Sequence, residues 1–461
     1  MAANAEAHLD AENPLDKLGL DRRTSRVLIF GLGKTGLSVA RFLKSQGIEF
    51  AVTDTRDWPP GLAEFRETCP DAGVFLGGLH NAAFSAATHL IVSPGVPLDQ
   101  PKIKEARRRK IPVFGDLDLF ACMAKAPVLA ITGANGKSTV TTLVGLMAEA
   151  DGRNVRVGGN LGTPMLDLLD DQADLYVLEL SSFQLERSSL LQPAAATVLN
   201  ISPDHMDRYP DIQAYADAKR RIFRGYGVMV LNRDDPMVAA MAEPDRRCVW
   251  FGLKETEVDY GVSVIDGTEW LTCCGEPLMR TDQIGIQGSH NVANALAAVA
   301  LGEAIGLSRA AMVSALERFD GLAHRMQKVA EIDGVTWIND SKATNVGACM
   351  AALSGLHNKA VLIAGGDGKD AEFSVLRPVV AEKVRAAVLM GKDAPRLEQA
   401  LRDVVPTVCV QNMRQAVQAA KSLAQRGDSV LLAPACASLD QYKDYQERGR
   451  VFTEEVMGLL P

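Results

Sequence analysis

The sequence predicts an α/β protein of three consecutive domains. Three observations carry this. The chain has 461 residues, enough for about three domains of ordinary size. Strand-like apolar runs alternate with helical patterns in three successive stretches. Those runs end in small or polar residues, and ligands bind at such carboxyl ends in open parallel sheets. The pattern places a loose leader at 1–24, then domains at 25–115, 116–320 and 321–461.

The first domain opens with the strand RVLIF (26–30), the turn GLGKTG, a helix from Leu37 to about Gln46, and the strand EFAVTD ending at Asp54. THLIVSPG (88–95) reads as a strand running into a tight turn. Around Gly115 and Asp116 the pattern fades, which suggests a boundary. Alternation resumes with APVLAIT (126–132) and a helix after Ser138 that has Val140, Leu143, Leu146 and Met147 on one face. LYVLEL (175–180) is nearly all apolar, as a strand buried on both faces should be. TVLNIS (197–202) and VMVLNR (228–233) follow the same pattern. Residues 247–287 alternate and are expected as a small separate sheet. HNVANALAAVALGEAIG (290–306) predicts a helix. The third stretch carries VTWIND (335–340), AVLIAGG (360–366), RAAVLM (385–390) and SVLLAPA (429–435).

Composition narrows the class. The chain is 47% hydrophobic and 23% charged, with a net charge of −8. That balance suits a globular protein and argues against one whose main task is gripping nucleic acid. No run of 18 apolar residues occurs, so no membrane insertion is expected. The first 24 residues lack the basic start and apolar core of a signal peptide. The eight cysteines are scattered apart from Cys273 and Cys274, and no CxxC occurs. A reducing cytoplasm is the simplest home.

Two glycine-rich turns carry chemistry. AITGANGKSTVTTL (130–143) sits between a strand and a helix. A helix N-terminus offers N–H groups and partial positive charge to a phosphate. Lys137 can reach the β- and γ-phosphates, and Ser138 or Thr139 can ligate Mg²⁺. The common form of this loop needs glycine where Ile131 stands; here the earlier glycine is Gly133. ATP or GTP binding follows, while hydrolase, kinase and ligase chemistry stay open on this motif alone. GLGKTG gives GxGxxG at Gly31, Gly33 and Gly36. It points to a dinucleotide or another pyrophosphate.

The variant loop TGANGKST resembles that of the Mur ligase superfamily, ATP-dependent amide-forming enzymes of bacterial wall synthesis joined by the folylpolyglutamate synthases. GGNLGTP (158–164), ELSSFQLE (179–186), LNISPDHMDRY (199–209), GSHNVANALAA (288–298), GLAHRM (321–326), NDSKATN (339–345), GGDGKD (365–370) and PACASLDQYKDY (434–445) agree in the expected order. The resemblance covers all but the leader. It implies Rossmann-like first and third domains around a central P-loop ATPase-like domain with a small extra sheet. ELSSFQLE with DHMDRY is similar to the member that adds D-glutamate to UDP-N-acetylmuramoyl-L-alanine. That activity, in cytoplasmic peptidoglycan precursor synthesis, is what the resemblance implies.

Such a reaction turns a carboxylate into an acyl phosphate, which an amine then attacks. The site must neutralise crowded anions. By resemblance, Gly133, Asn135, Gly136, Lys137, Ser138 and Thr139 cradle ATP, and two Mg²⁺ ions assist. Glu179 ends a buried strand, where a carboxylate is costly unless it meets a metal or cation. The resemblance makes Glu179 and His205 metal ligands, with Ser138 and Thr139 on the phosphate–metal side. Lys219, in YADAKRRIF, reads from sequence alone as a solvated surface lysine. The family places a carbamylated lysine here, with Arg220 as a register alternative that cannot play the part. Lys137, Glu179, His205 and Lys219 are thus the expected catalytic set.

The remaining roles also come from the resemblance. Asn291 and Asn294, three apart on one helical face, meet the adenine end of ATP. Arg325 and Asp340 reach its phosphate and ribose. Thr35 lies near the substrate diphosphate, while Asp54, Thr55 and Arg56 meet the uridine and nearby groups. Ser93 to Gly95 line the muramoyl path, and Asn160 and Ser181 contact substrate. Lys342 and Thr344 follow Asp340 on the same motif. Lys369, Ser438, Leu439 and Tyr445 form the glutamate pocket, where a cation suits two carboxylates. Cys436 reads as structural. A site drawn from three domains implies hinge closure. Monomer is the default expectation. Two rivals of other classes are an NAD-dependent oxidoreductase fused to an NTPase and a catalytically silent ATP-binding regulator.

Overall fold

The computed structural model describes residues 13–253, 257–286 and 288–460. The expected leader falls partly outside them, at 1–12. The described part of it is not loose. Pro14–Leu18 forms a short 3₁₀ helix that packs on the helix Asp116–Met123, with Leu15 and Leu20 buried. Two apolar side chains anchor a segment that its polar composition made look solvated.

The chain divides into two compact units. The first contains the residues up to Thr132, with Gly152–Ala196 and Ala218–Val228. The second contains Gly133–Asp151, Thr197–Asp217 and residues from Met229 onward.

In the first unit, β1 (Arg26–Phe30), β2 (Glu49–Thr53), β3 (Gly73–Phe75), β4 (His89–Val92) and β5 (Val113–Phe114) form a parallel sheet in the order β3-β2-β1-β4-β5. The chain leaves β1 toward one edge and returns through β4 to the other. The carboxyl ends of β1 and β4 are therefore a topological switch point, where open α/β sheets bind ligands. Gly31, at φ +100°, follows β1, and its carbonyl accepts from Ser93 Oγ at 2.8 Å. A Cβ on Gly36 would strike that same carbonyl, so the third glycine lets the helix Lys34–Gln46 approach the strand.

The faded pattern near 115 conceals the helix Asp116–Met123. Its Asp116 and Asp118 are as buried as its leucines, so no polar face marks it in the sequence. Asp118 accepts from Ser188 Oγ (2.7 Å), Ser189 N (2.8 Å), Ser189 Oγ (3.0 Å) and Leu190 N (3.0 Å). The same unit contains β6 (Val128–Thr132), β7 (Val155–Gly159) and β8 (Leu175–Glu179), parallel in the order β6-β8-β7. Every residue of β8 is buried, as its apolar run requires.

Strand β9 spans Ala195–Val198, so it starts two residues before the expected 197 and stops at 198 rather than 202. In the second unit, the helix Lys137–Ala150 packs on the helices Ser289–Ala304 and Arg309–Arg318. β10 (Val228–Asn232) pairs in parallel with β11 (Cys248–Phe251). β11 meets β12 (Tyr260–Ile265), which forms antiparallel pairs through β13 (Thr268–Cys273) to β14 (Glu276–Arg280). The region expected as a separate sheet is thus joined to β10.

The third α/β region holds β15 (Gln327–Ile332), β16 (Val335–Asn339), β17 (Ala360–Gly365), β18 (Val384–Met390), β19 (Thr407–Cys409) and β20 (Ser429–Leu432). The order is β15-β16-β20-β17-β18-β19, parallel except for β15. Apolar cores lie on both faces, one around Leu353, Leu376 and Leu397, the other around Trp337, Val417 and Phe452. The carboxyl ends of β16, β17 and β20 carry NDSKATN, GGDGKD and PACASLD.

Candidate active site

The phosphate loop is built by local sequence and tied down by distant side chains. Gly136 caps the helix Lys137–Ala150 at φ +83°. A Cβ there would collide with Asn294 Oδ1, so the loop runs directly against the helix Ser289–Ala304. Asn200 fixes the other side: its Oδ1 accepts from Asn135 N at 2.8 Å, and its Nδ2 donates to Asn135 O at 3.1 Å. Lys137 Nζ donates to the carbonyls of Gly133 and Ala134, both at 2.8 Å. Ser138 Oγ accepts from Arg325 at 2.6 Å.

Asn135, Gly136, Asn200, Asn294 and Arg325 border a cavity of about 190 Å³, whereas Gly133, Lys137 and Ser138 do not line it. It brings together Asn135, Gly136, Thr139, Asn291, Asn294, Arg325 and Asp340, all expected at ATP. Lys342, expected on the substrate side, lines it too. Asn294 Nδ2 donates to Asn291 Oδ1 at 3.3 Å, as their spacing on one helical face permits. Burial pushes the Asp340 carboxyl up to about 6, against the opposing pull of the Met326 N–H and the Arg325 charge. Such a carboxyl is poised to accept from a hydroxyl. His290 and Asn200 also line the cavity and were not singled out from sequence, although both lie inside quoted motifs.

A polar cluster surrounds Asp204. Lys369 Nζ lies 3.3 Å from Asp204 Oδ1, and Asn345 Nδ2 lies 3.3 Å from Oδ2 and 3.4 Å from Asn135 Oδ1. Against the upward push of burial, the charges of His205 when protonated, Lys369 and Lys137 hold the Asp204 carboxyl below its usual range. Asp204 and Asn345 went unnoticed in the sequence because their value lies in these long-range contacts. His205 and Lys369 have φ of +58° and +50°, conformations that non-glycine residues adopt at a cost. Burial lowers the His205 imidazole to about 4, so it is neutral, the form that ligates metals.

Lys342 Nζ stands 4.0 Å from the Tyr445 ring centroid, and Thr344 N donates to Lys342 O at 2.7 Å. Ser438 is buried, whereas the Leu439 side chain points to solvent at 73% exposed. Neither of them, nor Lys369 or Tyr445, lines the 190 Å³ cavity.

In the first unit, a cavity of about 390 Å³ opens at the switch point between β1 and β4. Thr35, Asp54, Thr55, Arg56, Ser93 and Gly95 all line it. Asp54 Oδ2 accepts from Leu32 N at 2.8 Å and from Arg56 at 2.7 Å. Burial opposes ionisation of Asp54, yet the Arg56 pair and these N–H groups hold its pKa below the usual value.

Asn160 and Ser181 lie elsewhere in that unit. Asn160 Nδ2 donates to Glu179 Oε1 at 2.6 Å, and Ser181 caps the helix Ser182–Leu185 in a reciprocal box with Gln184. Glu179 is buried at the end of β8 and pairs in register with Ile131 of β6. Lys219 contradicts its solvated reading: it is 1% exposed, with Nζ 3.3 Å from Thr132 Oγ1, one residue beyond Ile131.

Among the described residues no group of three His, Cys, Asp or Glu side chains is gathered ready for a metal. Mg²⁺ does not require one, since it takes one or two protein oxygens and completes its shell with phosphates and water.

The glycine cradle with its lysine, together with the switch-point cavity, defines a nucleotide-binding α/β enzyme. Three family domains match in succession. They are the Mur ligase MurD-like N-terminal domain at 25–115, the Mur ligase middle domain at 131–302 and the Mur ligase glutamate ligase domain at 324–436. The chain belongs to the Mur ligase family, and is an ATP-dependent, ADP-forming ligase. It is 63% identical over 452 residues to UDP-N-acetylmuramoylalanine--D-glutamate ligase of Methylococcus capsulatus, covering 97% of this chain and 98% of that one. It is 54% identical over 437 residues to the protein of the same name from Nitrosococcus oceani, covering 94% and 96%. Among solved structures, UDP-N-acetylmuramate-alanine ligase MurC of Thermotoga maritima superposes with a TM-score of 0.60. At 19% identity over 94% of this chain and 100% of that one, it supports the fold.

Proposed function

We propose that the chain joins D-glutamate to UDP-N-acetylmuramoyl-L-alanine, converting ATP to ADP and phosphate through an acyl phosphate. The observation that carries this is the 63% identity, across nearly both whole chains, to a relative named for that reaction. The 390 Å³ cavity receives the UDP end, with Arg56 and Thr35 facing the uridine and diphosphate. The 190 Å³ cavity receives the nucleoside of ATP: Asn291 and Asn294 meet adenine, Asp340 the ribose hydroxyls, and Arg325 the phosphates. Lys137 turns from the loop carbonyls to the β- and γ-phosphates.

Two Mg²⁺ ions belong to this reading, and Ser138, Thr139, Glu179 and His205 are the residues that would ligate them. When bound they neutralise the phosphates. Lys219, carbamylated, would supply a further carboxylate ligand; it is buried. Lys369 takes a glutamate carboxylate in exchange for Asp204, and Ser438 with the Leu439 backbone and Tyr445 complete that pocket. Asn160 and Ser181 contact the substrate's peptidyl end, with Lys342 and Thr344 nearby on the third-domain motif. We place the enzyme in the cytoplasm as a monomer; no helix among the described residues is long and apolar enough to cross a membrane.

The test is phosphate release with Mg-ATP and UDP-N-acetylmuramoyl-L-alanine across D-Glu, L-Glu, L-Ala, L-Lys and meso-diaminopimelate. Release only with D-Glu, lost in Lys137→Ala, is expected. Release with L-Glu alone overturns the stereochemistry, and no release with any amino acid overturns the reaction.

A further inference from the structure

Arg187 has no part in the chemistry above, yet it is among the most enclosed charges of the first unit. Its side chain is 1% exposed. It follows the helix Ser182–Leu185, where Ser181 and Gln184 form the capping box, and Arg187 N donates to Gln184 O at 3.2 Å. One guanidinium nitrogen donates to Phe183 O and, at 2.6 Å, to Glu186 Oε1. The other reaches 91 residues back in sequence and donates to Val96 O.

Val96 closes the turn that starts at Ser93, its N–H bonding to Ser93 O at 3.0 Å. That turn walls the 390 Å³ cavity through Ser93, Pro94, Gly95 and Val96. Its near end is already fixed to the glycine turn, since Ser93 Oγ donates to Gly31 O. At its far end the carbonyl of Val96 takes the Arg187 guanidinium. The residue preceding the helix Asp116–Met123 is Gly115, where an ideal Cβ would lie 3.2 Å from Arg187 Cβ, so the arginine stem runs closely against that backbone.

We propose that Arg187 is a positioning residue for the UDP-linked substrate: it holds the Ser93–Val96 wall of the cavity in register with the Glu179–Leu185 segment. Glu179 and Ser181 start that segment, and Arg187 lies two residues beyond its end. One cation thereby ties the wall of the switch-point cavity to the segment bearing a proposed metal ligand and a proposed substrate contact. A charge-assisted bond inside a dry slot is both strong and directional, which suits a part whose task is geometry. The inference rests on the reading that this cavity takes the UDP substrate.

The experiment is steady-state kinetics of Arg187→Ala, Arg187→Gln and Arg187→Lys, with Arg56→Ala as the control for the cavity. For Arg187→Ala the KM for UDP-N-acetylmuramoyl-L-alanine should rise roughly tenfold or more, the factor expected for one lost bond to a charged group. KM for ATP and for D-glutamate should stay within about twofold, a split that general loss of structure does not produce. Lysine, which keeps a donor and the charge, should recover part of the effect. Should Arg187→Ala fail to fold, Arg187→Gln decides, since its amide still fills the slot but carries no charge.

If all three KM values rise together, or the UDP-substrate KM is unchanged, the positioning role is overturned. An unchanged UDP-substrate KM in Arg56→Ala overturns the cavity reading and the proposal with it. A raised KM in Arg56→Ala beside a normal one in Arg187→Ala overturns the proposal alone.

Discussion

Replacing Gly136 by alanine tests the phosphate loop most directly. Gly136 sits at φ +83°, ψ −16°. A side chain in this left-handed region costs about 1–2 kcal/mol. The new methyl would also run into Asn294 Oδ1 and stand 3.2 Å from Asn294 Cγ and 3.3 Å from Leu199 Cδ1. Asn294 is 8% exposed and bonded to Asn291, so moving it aside breaks that bond. Overpacking of this kind costs about 1–3 kcal/mol. Together the penalty is about 2–5 kcal/mol if the loop keeps its shape. If the loop yields instead, its N–H groups lose their common aim. Either way kcat/KM for ATP should fall roughly a hundredfold, about 2.7 kcal/mol, while the KM for the UDP substrate stays within about twofold. Phosphate release at varied ATP and at varied UDP substrate measures these two effects, and thermal unfolding measures the strain. The double variant with Asn294→Ala removes the collision but not the backbone strain, so it should be more stable than Gly136→Ala alone. Wild-type kcat/KM for ATP in Gly136→Ala would refute the reasoning. A double variant no more stable than the single one would show that the collision is not the cause.

Two further outcomes concern the segments beside Arg187. Asp118→Ala removes the buried carboxylate that accepts from Ser188 Oγ, Ser189 N, Ser189 Oγ and Leu190 N, and should destabilise by about 1–3 kcal/mol. Amide hydrogen exchange across residues 186–191 should speed up in this variant; unchanged protection there removes Asp118 as the anchor. Asp116 is fully buried, and burial raises its carboxyl to about 6 from an ordinary 3.8, despite the Arg187 charge. The folded state therefore retains a proton that the unfolded chain releases. Its contribution to stability is full below pH 3.8 and is lost as pH rises through 6. Asp116→Asn lacks this dependence, so its stability relative to wild type should improve from pH 4 to pH 8 by up to about 3 kcal/mol. A stability difference that does not change with pH would contradict it.

Elements whose signals are local were legible in the amino-acid order. The apolar runs of β1, β8, β17 and β18, the glycine turns at 31–36 and 133–136, and the helix over Asn291 and Asn294 are each readable within a dozen residues, because periodicity and glycine spacing act at that range. The motif order also named the residues that converge on the two cavities. Tertiary structure decided what no local pattern carries, namely which side chains other parts of the chain cover. Lys219 looked solvated, and is buried because Thr132, 87 residues away, and its surroundings enclose it. Leu15 looked like part of a loose leader until the helix Asp116–Met123 gave its segment a partner, and that helix was itself disguised by two buried aspartates. Asn200, Asn345 and Arg187 carry no signature as single letters. Their roles are set by carbonyls, amides and carboxylates brought near by folding, and the energy of a buried polar group depends on which partner is there to meet it.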